Sequence, residues 1–241
     1  MRADIFLVEQ GYAKSRSEAK AAIEAGLVRA EGVLLLKPSQ AISSGASIEY
    51  QKPHPFVSRA GGKLAAALDH FDLSPKERVC LDVGASTGGF TQVLLERGAA
   101  RVYALDVGQN QMHPSLANDP RVRLREGVNA RALKASDLPE PVSVLTVDVS
   151  FISAKLVLLP ALSLVAPNSW AVVLVKPQFE VGRKAIGKGG IVRDQAARTS
   201  ALESISDFIA EKPQWRVLGT MESPLLGGDG NLEYLLAAAK L

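Results

Sequence analysis

Arg78-Val79-Cys80-Leu81-Asp82-Val83-Gly84-Ala85-Ser86-Thr87-Gly88-Gly89-Phe90-Thr91 is the stretch whose reading decides the fold. An apolar run carries an acid near its end, a glycine-rich turn follows, and a helical period runs over residues 90–97. Glycines in such a turn take positive φ and let the backbone approach a ligand, while Asp82 sets a carboxylate at the strand end. Three further apolar runs, residues 101–106, 142–148 and 171–176, close on a polar residue in the same way. Continuous short runs of this kind are what parallel strands look like when helices cover both faces of their sheet. The predicted class is an α/β fold with a doubly wound, mostly parallel sheet, whose site lies outside the carboxyl ends of the strands.

Upstream the chain reads differently. Residues 1–60 hold eight basic and six acidic residues, net +2, out of a total of 28 Lys+Arg against 25 Asp+Glu, net +3. A total of +3 is too small to name a polyanionic partner, so the position of the charges matters more than their sum. The first quarter shows two short helical patterns, a turn-rich stretch and a strand at Ser47-Ile48-Glu49-Tyr50. The prolines of Gln51-Lys52-Pro53-His54-Pro55 then forbid helix and favour extended chain. The organisation predicted is a small α+β unit over residues 1–52, a linker over 53–58 and an α/β unit over 59–241. His54 and His113 each precede a proline and read as loop residues.

Composition removes several classes. With 47% hydrophobic and 22% charged residues in 241, the chain has enough apolar material for a core and is neither disordered nor a disulfide miniprotein. Cys80 has no partner and reads as a buried small hydrophobe. The N-terminus lacks the apolar core of a signal peptide, and the longest apolar stretch, residues 156–166, is too short for a bilayer and contains Pro160. No membrane role, no metal and a cytoplasmic location are the expectations. Oligomeric state has no signature.

In the first unit, Ser15-Arg16-Ser17-Glu18 matches a capping box and Gly26 ends the helix. Arg16 and Lys20, four apart, share a face, with Lys14 just ahead of the cap. Charge alone fits a solvated helix face equally well. The pattern Arg2-x-Asp4-x-x-Leu7, Gly11, Ser15-Arg16-x-x-Ala19, Ile23-x-x-Gly26-x-Val28, Gly32, Pro38 and Gly45-x-x-Ile48 resembles the small RNA-binding domain named after ribosomal protein S4. The resemblance implies that Lys14, Arg16 and Lys20, and Arg59 at the head of the second unit, contact RNA.

The glycine turn is Gly84-x-x-x-Gly88-Gly89 rather than the Gly-x-Gly-x-x-Gly of dinucleotide binders, and it resembles the S-adenosylmethionine loop of class I methyltransferases. That resemblance implies cofactor contacts from Asp82, Gly84, Ser86, Thr87, Gly88, Gly89 and Phe90. Asp106, closing the next strand, stands where an acid can accept hydrogen bonds from ribose hydroxyls, although NAD sites use an acid similarly.

Four ionisable residues stand where the fold brings them towards one cleft. Lys63 precedes the first strand, Asp148 and Lys176 end two others, and Glu233 follows the turn Gly227-Gly228-Asp229-Gly230-Asn231. Charges at buried strand ends are costly unless paired. The order Lys-Asp-Lys-Glu resembles the tetrad of FtsJ-type ribose 2′-O-methyltransferases. Ser58-Arg59-Ala60-Gly61-Gly62-Lys63, Asp148-Val149-Ser150-Phe151, Lys176-Pro177-Gln178-Phe179-Glu180, Lys188-Gly189-Gly190-Ile191-Val192-Arg193-Asp194 and Gly230-Asn231-x-Glu233 extend the likeness to the TlyA (hemolysin A) family of rRNA methyltransferases. Two positions depart from that family: Ala117 stands where arginine is expected, and Gln92 replaces a frequent acid.

The resemblance implies methyl transfer from S-adenosylmethionine to a cytidine 2′-hydroxyl of 16S or 23S rRNA, with rRNA or ribosomal subunits as partner. Lys176 is then the base, and Lys63, Asp148 and Glu233 its support. A lysine can act so when burial or a neighbouring cation disfavours its ammonium form, a service that Lys63 and Lys176 could render each other. Competing readings are a non-catalytic ribosome-assembly factor, against which the intact tetrad stands, and a membrane-active cytolysin, which the missing export signal and span disfavour. A base methyltransferase would more often carry a catalytic cysteine or an Asn/Asp-Pro-Pro-aromatic motif.

Overall fold

The computed structural model describes residues 1–51 and 55–241, without the side chain of Lys184, and the chain divides into two compact units, Met1–Pro55 and Phe56–Leu241. Lys52, the last residue of the expected first unit, and Pro53 and His54, the first two of the expected linker, lie outside the described residues.

In the first unit α1 (Ala3–Glu9) and α2 (Arg16–Glu24) pack with a three-stranded antiparallel sheet of β1 (Val28–Ala30), β2 (Val33–Leu34) and β3 (Ile48–Tyr50), in the order β2-β1-β3. Phe6, Leu7, Ile23, Val28 and Leu35 form its small core. Ser15 Oγ accepts the Glu18 N–H at 3.2 Å, and Glu18 reaches one residue further back than a strict box, to the Lys14 N–H at 2.7 Å.

The second unit runs α3 (Ala60–His70), β4 (Val79–Val83), α4 (Gly89–Glu96), β5 (Arg101–Leu105), α5 (Pro114–Ala117), β6 (Val122–Arg125), β7 (Val142–Val147), α6 (Lys155–Leu164) and β8 (Val165–Val175). It continues through α7 (Pro177–Glu180), α8 (Gln195–Ala210), β9 (Trp215–Glu222) and β10 (Tyr234–Lys240). The sheet order is β6-β5-β4-β7-β8-β10-β9, with β4 to β8 parallel and β9 and β10 antiparallel.

Alternation along each buried strand sends side chains into two cores, one on each face of the sheet. Cys80, Val102 and Val144 join Leu64, Leu68, Phe90 and Leu94 from α3 and α4. Leu81, Leu145 and Val173 join Leu158 and Ile205 from α6 and α8. Burial pushes the Cys80 thiol far above its usual range, so it serves as a small apolar side chain. The apolar stretch 156–166 divides between α6 and the start of β8, and among the described residues no helix is long and apolar enough to cross a membrane.

Candidate active site

The β4–α4 turn is shaped by two close approaches. Gly84 sits at φ +85°, and a Cβ there would strike the backbone carbonyl of Asp148 on the neighbouring strand end. Gly88, at φ +96°, caps α4, and a Cβ there would run into Leu116 and Met112. Both need glycine, but for different reasons. Gly84 lines the cleft, together with Ser86, Thr87, Gly89 and Phe90, whereas Gly88 permits packing behind it.

Asp82 does not reach the cleft, which corrects the expected cofactor contact. Its carboxylate is fully buried beneath the turn, accepting the hydroxyls of Thr91 at 2.7 Å and Thr146 at 2.8 Å. Burial pushes this carboxyl up to about 6, while the two hydroxyl bonds pull it back down. Asp82 therefore ties strand, turn and helix together from below.

Two adjoining cavities open above the strand ends. The larger, about 490 Å³, runs from Leu105, Asp106 and Val107 to Asn129, Arg131 and Ile152. The smaller, about 280 Å³, is walled by Ser58, Arg59, Lys63, Phe90, Asp148 and Lys176. Gly84, Ser86, Asp148 and Ser150 border both, so they form the waist between the cavities. Asp106 faces the larger one and accepts the backbone N–H of Ser86 and of Gly108, each at 2.7 Å. Glu126, which no sequence pattern marks, holds the far rim by accepting the N–H groups of Asn110, Gln111 and Met112. The first two of these bonds are the main cause of its carboxyl lying below the usual range.

Lys63, Asp148 and Lys176 line the smaller cavity, at whose rim β7 and β8 end, and Glu233 is paired with Lys63. Asp148 follows β7 and Lys176 follows β8; because β10 is antiparallel, its beginning lies at the same end of the sheet. The pairing of Tyr234 with Val175 sets Glu233 beside Lys176 on that rim. Lys63, on α3, donates to Glu233 Oε2 at 2.5 Å, and both are almost sealed from solvent, at 7% and 2% exposure. Lys176 Nζ lies 2.5 Å from Asp148 Oδ1, an ion-pair contact without hydrogen-bond alignment, and its directed bond goes to Ser150 Oγ at 2.8 Å. Each ammonium thus has its own carboxylate, and both lysines line the smaller cavity. Ser150 is a contact that sequence reasoning missed.

Of the residues expected to touch RNA, Arg59 lines the smaller cavity. Arg16 is bound to buried Asp4 at 2.8 Å, beside Arg2, and these cations hold the Asp4 carboxyl well below its usual range. Lys20 lies 3.7 Å from Glu24, and Lys14 is exposed ahead of α2. Gln92 Oε1 accepts the Val57 N–H at 2.6 Å, so it fastens the head of this unit to α4, and Ala117 is an exposed residue at the end of α5.

Comparison with known proteins follows the same division of the chain. Residues 56–240 match the family model of the FtsJ-like methyltransferase, and residues 1–48 match that of the S4 domain. The 16S/23S rRNA (cytidine-2′-O)-methyltransferase TlyA of Mycobacterium tuberculosis is 42% identical over 237 residues, 98% of this chain and 88% of that protein. Hemolysin A of Brachyspira hyodysenteriae is 41% identical, covering 98% of each. A solved structure described as "Putative hemolysin from Streptococcus thermophilus" is 39% identical with a TM-score of 0.79, over 100% of this chain and 88% of that one.

Proposed function

The chain belongs to the TlyA family of FtsJ-like rRNA methyltransferases, and on that premise we propose that Lys176 is the base that deprotonates a cytidine 2′-hydroxyl of rRNA during its methylation. The observation that carries this assignment is the position of Lys176 Nζ. It is the one lysine of the tetrad whose contacts, Asp148 and Ser150, both border the waist between the two cavities.

S-adenosylmethionine fits the larger cavity, with Asp106 towards its ribose and Gly84 giving it the backbone surface that a Cβ would deny. When bound it supplies a methyl group activated by a sulfonium. A ribose hydroxyl is a weak nucleophile at neutral pH, so proton removal has to accompany attack. Lys176 Nζ takes that proton in its free-amine form, Ser150 fixes the direction of the amine by hydrogen bonding, and Asp148 supplies the counter-charge for the ammonium produced. Lys63 and Glu233 stand behind as a paired support that keeps α3 and the start of β10 in place. Aligning oxygen and methyl in a narrow cleft contributes several kcal/mol, on the order of that seen for oriented intramolecular reactions.

The first unit serves as an RNA anchor, with Lys14, Arg16 and Lys20 on its basic side, and Arg59 guides RNA at the cleft. An rRNA substrate places the enzyme in the cytoplasm. The reading is tested by incubating the full chain with methyl-labelled S-adenosylmethionine and each ribosomal subunit, as well as protein-free 16S and 23S rRNA. Label in rRNA is expected, and no transfer to any of the four would overturn the reading.

A further inference from the structure

The segment Gly182-Arg183-Lys184-Ala185-Ile186-Gly187-Lys188-Gly189-Gly190-Ile191-Val192-Arg193 carries four basic residues and no acid, and nothing in the methyl-transfer chemistry uses it. Arg183, Lys188 and Arg193 are exposed, and among the described residues no ion pair engages them. The acids that flank the loop are occupied elsewhere. Glu180 accepts the Ser153 hydroxyl at 2.6 Å and the Ala154 N–H at 2.7 Å, Asp194 caps α8 at Ala196, and Asp229 accepts from Gln178 and from the Asn231 N–H. These carboxylates are held by neutral donors, and among the described residues none pairs directly with Arg183, Lys188 or Arg193.

The loop is also built. Asn231, 1% exposed, accepts the Val192 N–H and donates to the Gly190 carbonyl, each at 2.9 Å, while Gly187 N–H reaches the Ile191 carbonyl at 3.0 Å. Gly189 and Gly190 both take positive φ, at +81° and +79°. Asn231 lies two residues before Glu233, so the turn that seats the Lys63–Glu233 pair also seats this loop at the edge of the active site. By contrast, Arg16 and Lys20 of the first unit each have an acid beside them. Cations without protein partners, presented on a fixed backbone next to a cleft that must receive a polyanion, suit phosphate contact, which positions a strand without reading its bases.

We infer that residues 183–193 form a phosphate-contacting rim, held by Asn231, that grips the RNA backbone as it enters the active site. This rests on the rRNA-methyltransferase reading above. The test uses the full chain with S-adenosylmethionine bound, measuring affinity for each ribosomal subunit and for protein-free 16S and 23S rRNA between about 50 and 200 mM salt, and KM for methyl transfer to whichever of them is methylated. The combined variant Arg183→Gln, Lys188→Gln, Arg193→Gln should make the salt dependence of log K shallower by roughly two, since each lost phosphate contact removes somewhat under one. KM for RNA should rise about tenfold or more, with cofactor affinity, Tm and kcat at saturating RNA unchanged. Arg183→Lys with Arg193→Lys should keep the wild-type slope. Lys76→Gln with Arg216→Gln, at the opposite end of the sheet, should also keep it. A triple variant with wild-type slope and KM overturns the inference while leaving the parent reading intact. A wild-type chain that methylates neither ribosomal subunit and neither protein-free rRNA overturns the parent reading, and the inference with it.

Discussion

The two lysine–carboxylate pairs of the catalytic unit have the same chemistry and different surroundings. Lys63–Glu233 is the more closed, with side-chain exposures of 8% and 3%, although Lys63 also walls the smaller cavity. Lys176–Asp148, at 11% and 16%, is the more open, both its residues line the cleft, its lysine shares a hydrogen bond with Ser150, and Asp148 Oδ1 is left without a hydrogen-bond donor. A buried pair loses solvation from both charges and regains it only through mutual contact, so its loss is felt first as instability. An open pair beside a cavity can exchange a partner for substrate, so its loss is felt first as lost rate. Residue type cannot separate the two lysines; their surroundings do.

The largest effect expected is on the open pair. Lys176→Ala should lower the single-turnover methyl-transfer rate by about 10² to 10⁴-fold, the usual contribution of general base catalysis, with Tm and cofactor affinity near wild type. A rate within a few-fold of wild type would erase the distinction. The closed pair should respond in the opposite currency: Glu233→Ala strands the Lys63 ammonium and should cost about 3–5 kcal/mol of stability, read by urea denaturation, whereas Asp148→Ala should cost much less. Equal losses would mean that both pairs are structural.

Asp82 extends the comparison to a buried carboxyl held by neutral donors and no cation, the hydroxyls of Thr91 and Thr146 and the Thr91 backbone N–H. Its carboxyl lies at about 6 in the folded chain against an ordinary value of 3.8. Between those two pH values the folded state holds the proton that the unfolded state has released, so stability falls as pH rises from about 4 to about 6. Relative to Asp82→Asn, the wild type should lose up to roughly 3 kcal/mol across that window, and parallel stability curves would contradict the burial argument. The smallest effect is at Ser150. Ser150→Ala should reduce kcat about threefold to tenfold, the worth of one hydrogen bond, without changing cofactor affinity. An unchanged kcat would show that Asp148 alone orients Lys176.

The sequence reading reached the strands whose apolar runs close on a polar residue, because full burial on both faces leaves an uninterrupted signature. It found no strand at Tyr234–Lys240, where Leu235-Leu236-Ala237-Ala238-Ala239 carries neither alternation nor β-branching, and only pairing with β8 and β9 makes it extended. That strand is what delivers Glu233. The same uniform burial hid which way Asp82 points, since in a strand covered on both faces the pattern does not mark the side facing the loop. Gly88 was legible as a necessary glycine, but the obstruction it avoids, Met112 and Leu116, comes from a segment more than twenty residues away. Glu126 gave no signal and Ser150 none beyond its place in the Asp148-Val149-Ser150-Phe151 likeness, because a lone serine or glutamate acquires its role from distant backbone and side-chain partners.

The central claim is that Lys176 serves a ribose hydroxyl, and the position of the transferred methyl tests it most directly. After transfer from labelled S-adenosylmethionine by the full chain, the rRNA is hydrolysed in alkali, which cleaves through free 2′-hydroxyls and cannot cleave where the oxygen is methylated. The prediction is label confined to alkali-resistant dinucleotides that begin with cytidine, and its loss with Lys176→Ala. Label recovered in mononucleotides, on a base, would contradict the account.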